Sequence, residues 1–414
     1  MTAAIDDGTT VEGDLVELVV GAPAHGGHCV ARIGGEHGRV VFVRHALPGE
    51  RVTARITEMH RGYWRADAIE IHEPSPDRVP APCPYAKPGL CGGCDLQHAS
   101  DAAQLAWKTA VVREQLSRLA GLTSDVTVER LPGGLLGWRS RVRYAVDAAD
   151  RPGLLKHRSH EVVPVDRCRI AHPRLQELDV LGRPWPEVSG IAAVASTGGD
   201  VSVHALRSAA SQSPTDDPGP AGVLVTGPAE VREVAAGRTW TVPAEGFWQV
   251  HPAAAETLTA AVLEMLRPAP GETAWDLYGG AGLFAAAVAE RTGARVTVVE
   301  SSPAGVAAAR RNLTAPIDAE VVAARVETAL RKRRITGPVD LVVLDPPRSG
   351  AGREVVEAIA AAGPRAIAYV ACDPAALARD LGTFGRLGWR VAGLRAFDCF
   401  PMTSHVECVA HLTR

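Results

Sequence analysis

The hydrophobic period of the chain changes along its length. Between Gly13 and His72, apolar and polar positions alternate in the short runs GDLVELVV, CVARI, GRVVFV, ERVTARITEM and WRADAIEIHE, broken by Gly34-Gly35 and Pro48-Gly49. Runs of this kind predict a small antiparallel, OB-like barrel of about five strands. The bridge that follows, HEPSPDRVPAPCPYAKPG, is too rich in proline for a helix or a central strand. Asp95 to Leu119 takes a helical period, with Leu105, Val112, Leu116 and Leu119 on one side. Residues 125 to about 240 read as a mixed sheet region, interrupted by the polar stretch Ser208 to Gly222, which is expected to be a flexible insertion. From about Trp240, apolar runs alternate with helical stretches. TAWDLY, RVTVVE, EVVAA, LVVLD and AIAYVAC read as buried strands of a parallel doubly wound sheet, and WRVAGLRAFDCF and HVECVAHLTR as an antiparallel pair that closes it. The expected organisation is a disordered lead at 1–12, the barrel at 13–72, a central domain at 73–240 and an α/β Rossmann-like domain at 241–414, with a helix in 95–124.

Composition narrows the partners. The 414 residues are 46% hydrophobic and 22% charged, as in ordinary globular proteins. A net charge of −3 gives no global attraction to nucleic acid, so RNA must be met by a local basic face. Two candidates exist. Arg39, Arg44, Arg51, Arg55, Arg61 and Arg65 lie in the barrel with Tyr63 and Trp64 as stacking groups, and Arg139, Arg141 and Arg143 alternate along GWRSRVRYAV. The plainer reading of both is a solvated arginine face. No apolar run reaches the roughly 18–20 residues of a membrane helix. The acidic, polar start MTAAIDDGTTVEGD does not read as a signal peptide, so a cytoplasmic protein is expected. Eight cysteines in a chain this long suit catalysis or metal binding in a reducing compartment better than a disulfide scaffold.

Three of those cysteines, Cys83, Cys91 and Cys94, lie in the proline-rich bridge, with Gly92-Gly93 between the last two. Cys168 in VDRCRIAHP is the best fourth ligand, and four thiolates suit zinc or an iron–sulfur cluster equally. The competing reading is a redox dithiol or a simple turn. In the last domain, the loop DLYGGAGLF, through Tyr278, Gly280 and Gly282, lets a ligand reach backbone amides at a helix start. Glu300 ends the next strand, where an acid takes ribose hydroxyls. That pair fits S-adenosylmethionine or a dinucleotide, and DPPR after the LVVLD strand favours the former. Asp345 and Arg348 of that motif, Cys372 at the end of AIAYVAC and Glu407 in SHVECVAHL should converge on one sheet edge. Uridine C5 is a poor nucleophile until a thiolate adds at C6, and a base must later take the C5 proton. Cys372 and Glu407 supply both parts. Alone, Cys372 would read as a structural cysteine at a strand end.

The barrel, CPYAKPGLCGGCDLQH, GFWQVHP, DLYGGAGLF, LDPPRSG, YVACDPAALARDL and FPMTSHVECVAHL together resemble the RNA 5-methyluridine (uridine-C5) methyltransferase family, in its iron–sulfur form with an N-terminal TRAM domain. The resemblance implies a [4Fe–4S] cluster on Cys83, Cys91, Cys94 and Cys168. It implies S-adenosyl-L-methionine contacts at Gln249, Tyr278, Glu300 and Asp345, with Cys372 as nucleophile and Glu407 as C5-proton base. It further implies ribosomal or transfer RNA with a flipped-out uridine, and a helix after Cys94 packed on the last domain. The chain departs from the pattern at Gly279, at Leu283, where a polar residue is usual, and at Asp373, where Asn is usual. An aspartate beside the cysteine raises its pKa unless it is turned away or held by Arg379. Two other readings remain: an RNA-binding protein with a decayed methyltransferase domain, and a methyltransferase of a protein or small molecule.

Overall fold

The computed structural model describes residues 10–35, 37–207 and 222–414. Most of the expected lead (1–9) and the expected insertion up to residue 221 lie outside the described residues. The barrel comprises β1 (Leu15–Val19), β2 (Pro23–Ala24), β3 (His28–Ile33), β4 (Arg39–Arg44), β5 (Arg51–Met59) and β6 (Tyr63–Glu73), in the order β1-β5-β6-β4-β3-β2. All five alternating runs are strands, and the two-residue β2 is added at the edge, but the barrel is not antiparallel throughout, since β4 and β6 pair in parallel. Side-chain parity builds the core: Trp64, Ala66 and Ala68 point inward from β6, while Tyr63, Arg65 and Asp67 do not.

Helix α1 (Asp101–Gln115) starts later than the periodicity suggests. The amides of Asp95 and Leu96 donate to the Met402 carbonyl at 3.1 and 2.9 Å, and Ser100 caps the helix by accepting from the Ala103 amide. The segment 95–100 is thereby committed to a loop of the last domain. The helix has two apolar sides: Trp107 and Val111 enter the barrel core, and Val112 and Leu116 enter the core of the last domain. Its end, Leu116–Ala120, is a π turn. The wider turn rotates Leu119 off the Val112 side, leaving it 39% exposed.

The central sheet contains β8 (Arg141–Val146), β9 (Pro152–Leu155), β10 (Val162–Pro164), β11 (Val188–Ala195), β12 (Val201–Arg207) and β13 (Val223–Thr226), ordered β10-β9-β8-β11-β12-β13. A separate hairpin, β14 (Glu230–Ala235) and β15 (Arg238–Pro243), follows. One part of the expected mixed sheet region lies elsewhere: β7 (Val128–Arg130) joins the edge of the last sheet. Arg113 draws it there by donating to the Val126 and Asp125 carbonyls, and Val126 and Val128 bury beside α1.

The last domain runs α3 (Ala254–Leu266), β16 (Ala274–Leu277), α4 (Leu283–Thr292), β17 (Val296–Glu300), α5 (Pro303–Asn312), β18 (Ala319–Ala323), α6 (Val326–Arg331), β19 (Leu341–Leu344), α7 (Arg353–Ala362), β20 (Ala366–Ala371), α8 (Pro374–Arg386), β21 (Arg390–Asp398) and β22 (Glu407–Thr413). Its sheet order is β18-β17-β16-β19-β20-β22-β21-β7, parallel from β18 to β20. Strand order reverses at β16, so the crevice beyond its carboxyl end is the expected ligand site. The antiparallel β22 lies between β20 and β21, pairing Cys408 with Ala371. The start of β22 therefore meets the end of β20.

Candidate functional site

Strand β20 is buried throughout, and the chain emerges from it at the half-buried Cys372. Asp373 then caps α8, its Oδ1 accepting from the Ala376 amide at 2.7 Å, with Pro374 in the first turn. Because Ala371 faces Cys408, Glu407 stands level with Cys372 on the next strand. Glu407 is buried at 5% exposure, and its Oε2 has no hydrogen-bond partner. Burial, then the nearby Asp345 charge, pushes its carboxyl well above the usual range, with Arg348 acting in the opposite sense. Burial also pushes Asp345 up to about 7. The Cys372 thiol is pushed up to about 12 by burial, then by Glu407 and Asp345; Arg348 opposes and Asp373 adds a smaller push. A thiol and two acids thus share one partly dry space beside one guanidinium.

The loop carrying Arg348 is locked from behind. Tyr369 donates to Asp380 Oδ2 at 2.6 Å, and the Ala351 amide donates to the same oxygen at 2.8 Å. Gly350 has φ +89°, and a side chain there would run into Asp380. Arg348 itself is exposed and reaches His405 Nε2 at 3.4 Å.

The neighbouring part of the edge is built around the glycine loop. Tyr278 has φ +64°, and its hydroxyl is buried without a partner. Gly280 and Gly282 have φ +53° and +90°. The Gly280 amide donates to Glu300 Oε2 at 2.9 Å, and the Ser301 and Ser302 amides donate to Oε1 at 2.8 and 2.6 Å. Space for a Cβ at Gly280 is open, so a ligand can approach the backbone there. A cleft of about 390 Å³ lies beside Glu300, lined by Ser301, Pro303, Val306, Ala307, Arg310, Ala323, Ala324 and Arg325. Leu283 turns its side chain into the core, so this departure leaves the loop backbone intact. Gln249 is buried in the connection between β15 and α3. Among the described residues, no hydrogen bond links it to the glycine loop.

Asp276 was missed. It lies in the fully buried β16, its Oδ2 accepting from the Ala285 amide at 2.9 Å and its Oδ1 unpartnered. Burial pushes it up to about 7, helped by the charges of Asp345 and Glu300. An acid inside the apolar run TAWDLY was the available signal.

The four cysteines converge although Cys168 is far along the chain from the others. Cys83, Cys94 and Cys168 are buried and Cys91 half-buried. Burial first, then neighbouring thiols, pushes three of them up: Cys168 and Cys83 act on Cys91, Cys168 and Cys91 on Cys94, and Cys83 on Cys168. Backbone amides point at sulfur: Gly93 donates to Cys91 at 3.4 Å, and Ala171 and Ile170 to Cys168. At Gly92, a Cβ would sit 2.4 Å from the His157 amide nitrogen, so only glycine fits. Among the described residues, the side chains as placed form no group of three or more His, Cys, Asp or Glu that could hold a metal ion.

Two basic faces need correction. Trp64 is core, and Arg39 lies over its ring at 4.9 Å. Arg44 is buried beside Asp67 and Asp95. Arg141 donates to Glu233 at 2.7 Å and to the Ala244 and Gly246 carbonyls. Trp64, Arg44 and Arg141 are therefore structural. The barrel surface instead offers Tyr63, grouped with Phe42, His60 and Arg65.

Comparison with known proteins adds the following. Residues 10–69 match the TRAM domain model, and residues 238–414 match the model described as tRNA (Uracil-5-)-methyltransferase. An RNA methyltransferase of Streptomyces avermitilis is 50% identical over 97% of this chain and 98% of its own length. One from Streptomyces coelicolor is 48% identical over 99% of this chain and 94% of its own. One from Corynebacterium efficiens is 35% identical over 97% and 96%. Among solved structures, the Pyrococcus abyssi tRNA (uracil-54, C5)-methyltransferase in complex with S-adenosyl-L-homocysteine superposes with TM-score 0.71, covering 96% of this chain and 100% of that one. At 24% identity that likeness speaks for the fold alone. Among the described residues, no helix is long and apolar enough to cross a membrane.

Proposed function

The chain belongs to the tRNA (uracil-5-)-methyltransferase family and carries a TRAM domain, and from that premise we propose that it forms 5-methyluridine in ribosomal or transfer RNA through a covalent cysteine adduct. It is an S-adenosylmethionine-dependent RNA methyltransferase of the uracil-C5 type. The observation that carries the mechanism is the pairing of β20 with β22, which puts Cys372 beside a buried Glu407 whose Oε2 is bare.

Cys372 Sγ, once its proton has passed to solvent, adds as the thiolate to C6 of a uridine flipped into this edge, and the electron pair moves to C5 and O4. S-adenosylmethionine, when bound, supplies an electrophilic methyl on a positively charged sulfur, which C5 takes as the methyl–sulfur bond breaks. Glu407 then accepts the C5 proton, the Cys372–C6 bond breaks, and the C5–C6 double bond re-forms. Arg348 is placed to offset the negative charge that gathers on this edge. The residues present suit the cofactor. Gly280 leaves the backbone open to approach, and Tyr278 offers an unpartnered hydroxyl. Glu300 has used three of about four lone-pair sites on amides, leaving one for a ribose hydroxyl. Asp345 stands between this half of the edge and the thiol, and Gly282 lets the loop turn into α4. Gln249 is assigned to the cofactor as well.

The same proposal gives Cys83, Cys91, Cys94 and Cys168 a [4Fe–4S] cluster. Four free cysteines gathered close together, with amides aimed at the sulfurs of Cys91 and Cys168, are a suitable donor set. Methyl transfer needs no electron, so the cluster would brace the proline-rich bridge against the central sheet. Anaerobically purified protein should contain iron and labile sulfide in equal amounts, and zinc in their place would overturn the assignment. Eight free cysteines suit a reducing cytoplasm.

The mechanism is tested with Glu407→Gln protein, S-adenosylmethionine and unmodified RNA. Methyl transfer proceeds, elimination stalls, and a denaturation-stable protein–RNA band accumulates that is absent when Cys372→Ala is added. No band with any cellular RNA, despite bound cofactor, would sink the covalent mechanism.

A further inference from the structure

We propose that His25, in the turn between β2 and β3 of the barrel, is a positioning residue for Cys372: by holding the Asp373 carboxylate it keeps that charge off the sulfur, and so ties the readiness of the thiol to the seating of the barrel. The inference rests on the reading of Cys372 as nucleophile and adds to it a role for a residue outside the methyltransferase domain.

The geometry is specific. Asp373 follows Cys372 directly, and its two oxygens have different holders. Oδ1 takes the Ala376 amide at 2.7 Å, and Oδ2 lies 2.9 Å from His25 Nε2. The turn that presents His25 continues through Gly26 and Gly27, with φ +89° and +81°. A Cβ on Gly27 would stand 2.8 Å from Asp95, so the turn is wedged against that residue. Asp95 Oδ2 in turn accepts from the amide and hydroxyl of Ser404, at 3.1 and 2.9 Å, in the loop that leads to Glu407. The barrel thus bears on the loops carrying both reacting side chains.

The electrostatics give this contact a consequence. Cys372 is faced by Glu407 from β22, by Asp345 and Arg348 from the loop after β19, and by Asp373 from the start of α8. Asp373 is faced by His25 and Arg379. Burial alone would push Asp373 up, but the His25 and Ala376 hydrogen bonds and the charges of His25 and Arg379 hold it below the usual carboxylate range. It is therefore a standing negative charge next to a thiol that must ionise. With His25 engaged, Oδ2 is held in a hydrogen bond to the imidazole at 2.9 Å. With His25 gone, or the barrel displaced, Arg379 is the remaining cation facing that carboxylate, and the carboxylate charge bears more strongly on the sulfur and disfavours the thiolate. Asparagine at this position would cap α8 equally well and need no such partner.

The test is a double-mutant cycle read on the thiol itself, in the full-length protein without RNA. The rate of Cys372 alkylation by iodoacetamide is followed on its peptide by mass spectrometry, at several pH values between about 7 and 9. His25→Gln should slow the reaction by between about threefold and tenfold at each pH, the equivalent of roughly half to one unit in thiol pKa. Asp373→Asn should speed it, and adding His25→Gln to Asp373→Asn should then change nothing. A His25→Gln rate equal to wild type, or a slowing that persists in the Asp373→Asn background, overturns the proposal. Calorimetric binding of S-adenosylmethionine to each variant shows that the fold is intact. The readout needs no turnover, so a failed adduct trap would remove the nucleophile reading while leaving this contact to stand or fall on its own cycle.

Discussion

Two glutamates mark neighbouring parts of one sheet edge and are held in opposite ways. Glu300, at the end of β17, accepts three backbone N–H groups from Gly280, Ser301 and Ser302. Glu407, at the start of β22, has one oxygen with no partner at all and sits in a buried wall with Asp345 and Cys372. A carboxylate pinned by fixed amides is scaffold: it shapes the glycine loop and offers one remaining direction to a ligand. A carboxylate left bare in a dry wall is costly to fold and gains its use when a proton arrives. On the proposed reading the difference divides the edge into a half that binds and a half that reacts, and each half has a different way to fail.

The largest expected effect comes from the reacting half. Cys372→Ala should lower turnover at least about 10³-fold, since the other thiol at the end of β20, Cys408, is fully buried. Affinity for S-adenosylmethionine, measured by calorimetry on the same protein, should be unchanged. A variant that loses both together would break the division, because the halves would then be one unit.

The binding half should fail the other way. Glu300→Ala leaves the Gly280, Ser301 and Ser302 amides without their acceptor and removes the proposed ribose partner. Cofactor affinity should drop by roughly 10- to 100-fold, the range for a hydrogen bond to a charged group. At saturating cofactor, the covalent adduct should still form with the Glu407→Gln substitution present. An unchanged cofactor affinity would show that the cleft beside Glu300 is not where the ribose sits.

Where sequence reasoning reached the fold, it did so through runs of apolar residues whose length and period admit one reading. β16, β19 and β20 are buried on both faces, so their text is apolar except for Asp276, and each is followed directly by a residue proposed for the site, Tyr278, Asp345 or Cys372. Residue type misled wherever parity was ignored. Trp64 looked like a stacking group, yet it shares its parity with Ala66 and Ala68 and is core. Arg141 looked like a phosphate ligand, but its partner Glu233 comes from a hairpin far along the chain, and no local pattern announces such a pair. β7 was illegible for a related reason. Three residues carry little periodicity, and what places them is Arg113 of α1. The convergence of Cys168 with the CGGC loop is a product of topology, and so is the bond from His25 to Asp373.

The smallest expected effect concerns Asp276, which sharpens the comparison because it sits in the binding half but is held partly like Glu407. One oxygen takes the Ala285 amide and the other has no partner, in a strand with no exposed residue. Its carboxyl is pushed from the ordinary range up to about 7 by burial, with Asp345 and Glu300 adding to the push. A raised folded-state pKa means that the folded protein holds this proton more tightly than the unfolded chain does. The corresponding stability is fully present below the unfolded value, near 4, and is lost as pH rises through about 7. Asp276→Asn cannot titrate, and its carbonyl can still accept from the Ala285 amide. The melting temperature of the variant relative to wild type should therefore rise between about pH 5 and pH 8, by about 2–6 °C for a difference of 1–2 kcal/mol. If the two melting curves keep a constant gap across that range, Asp276 is ionised throughout in the folded protein. It would then stand with Glu300 as fixed scaffold, and the bare acids would be confined to the reacting half.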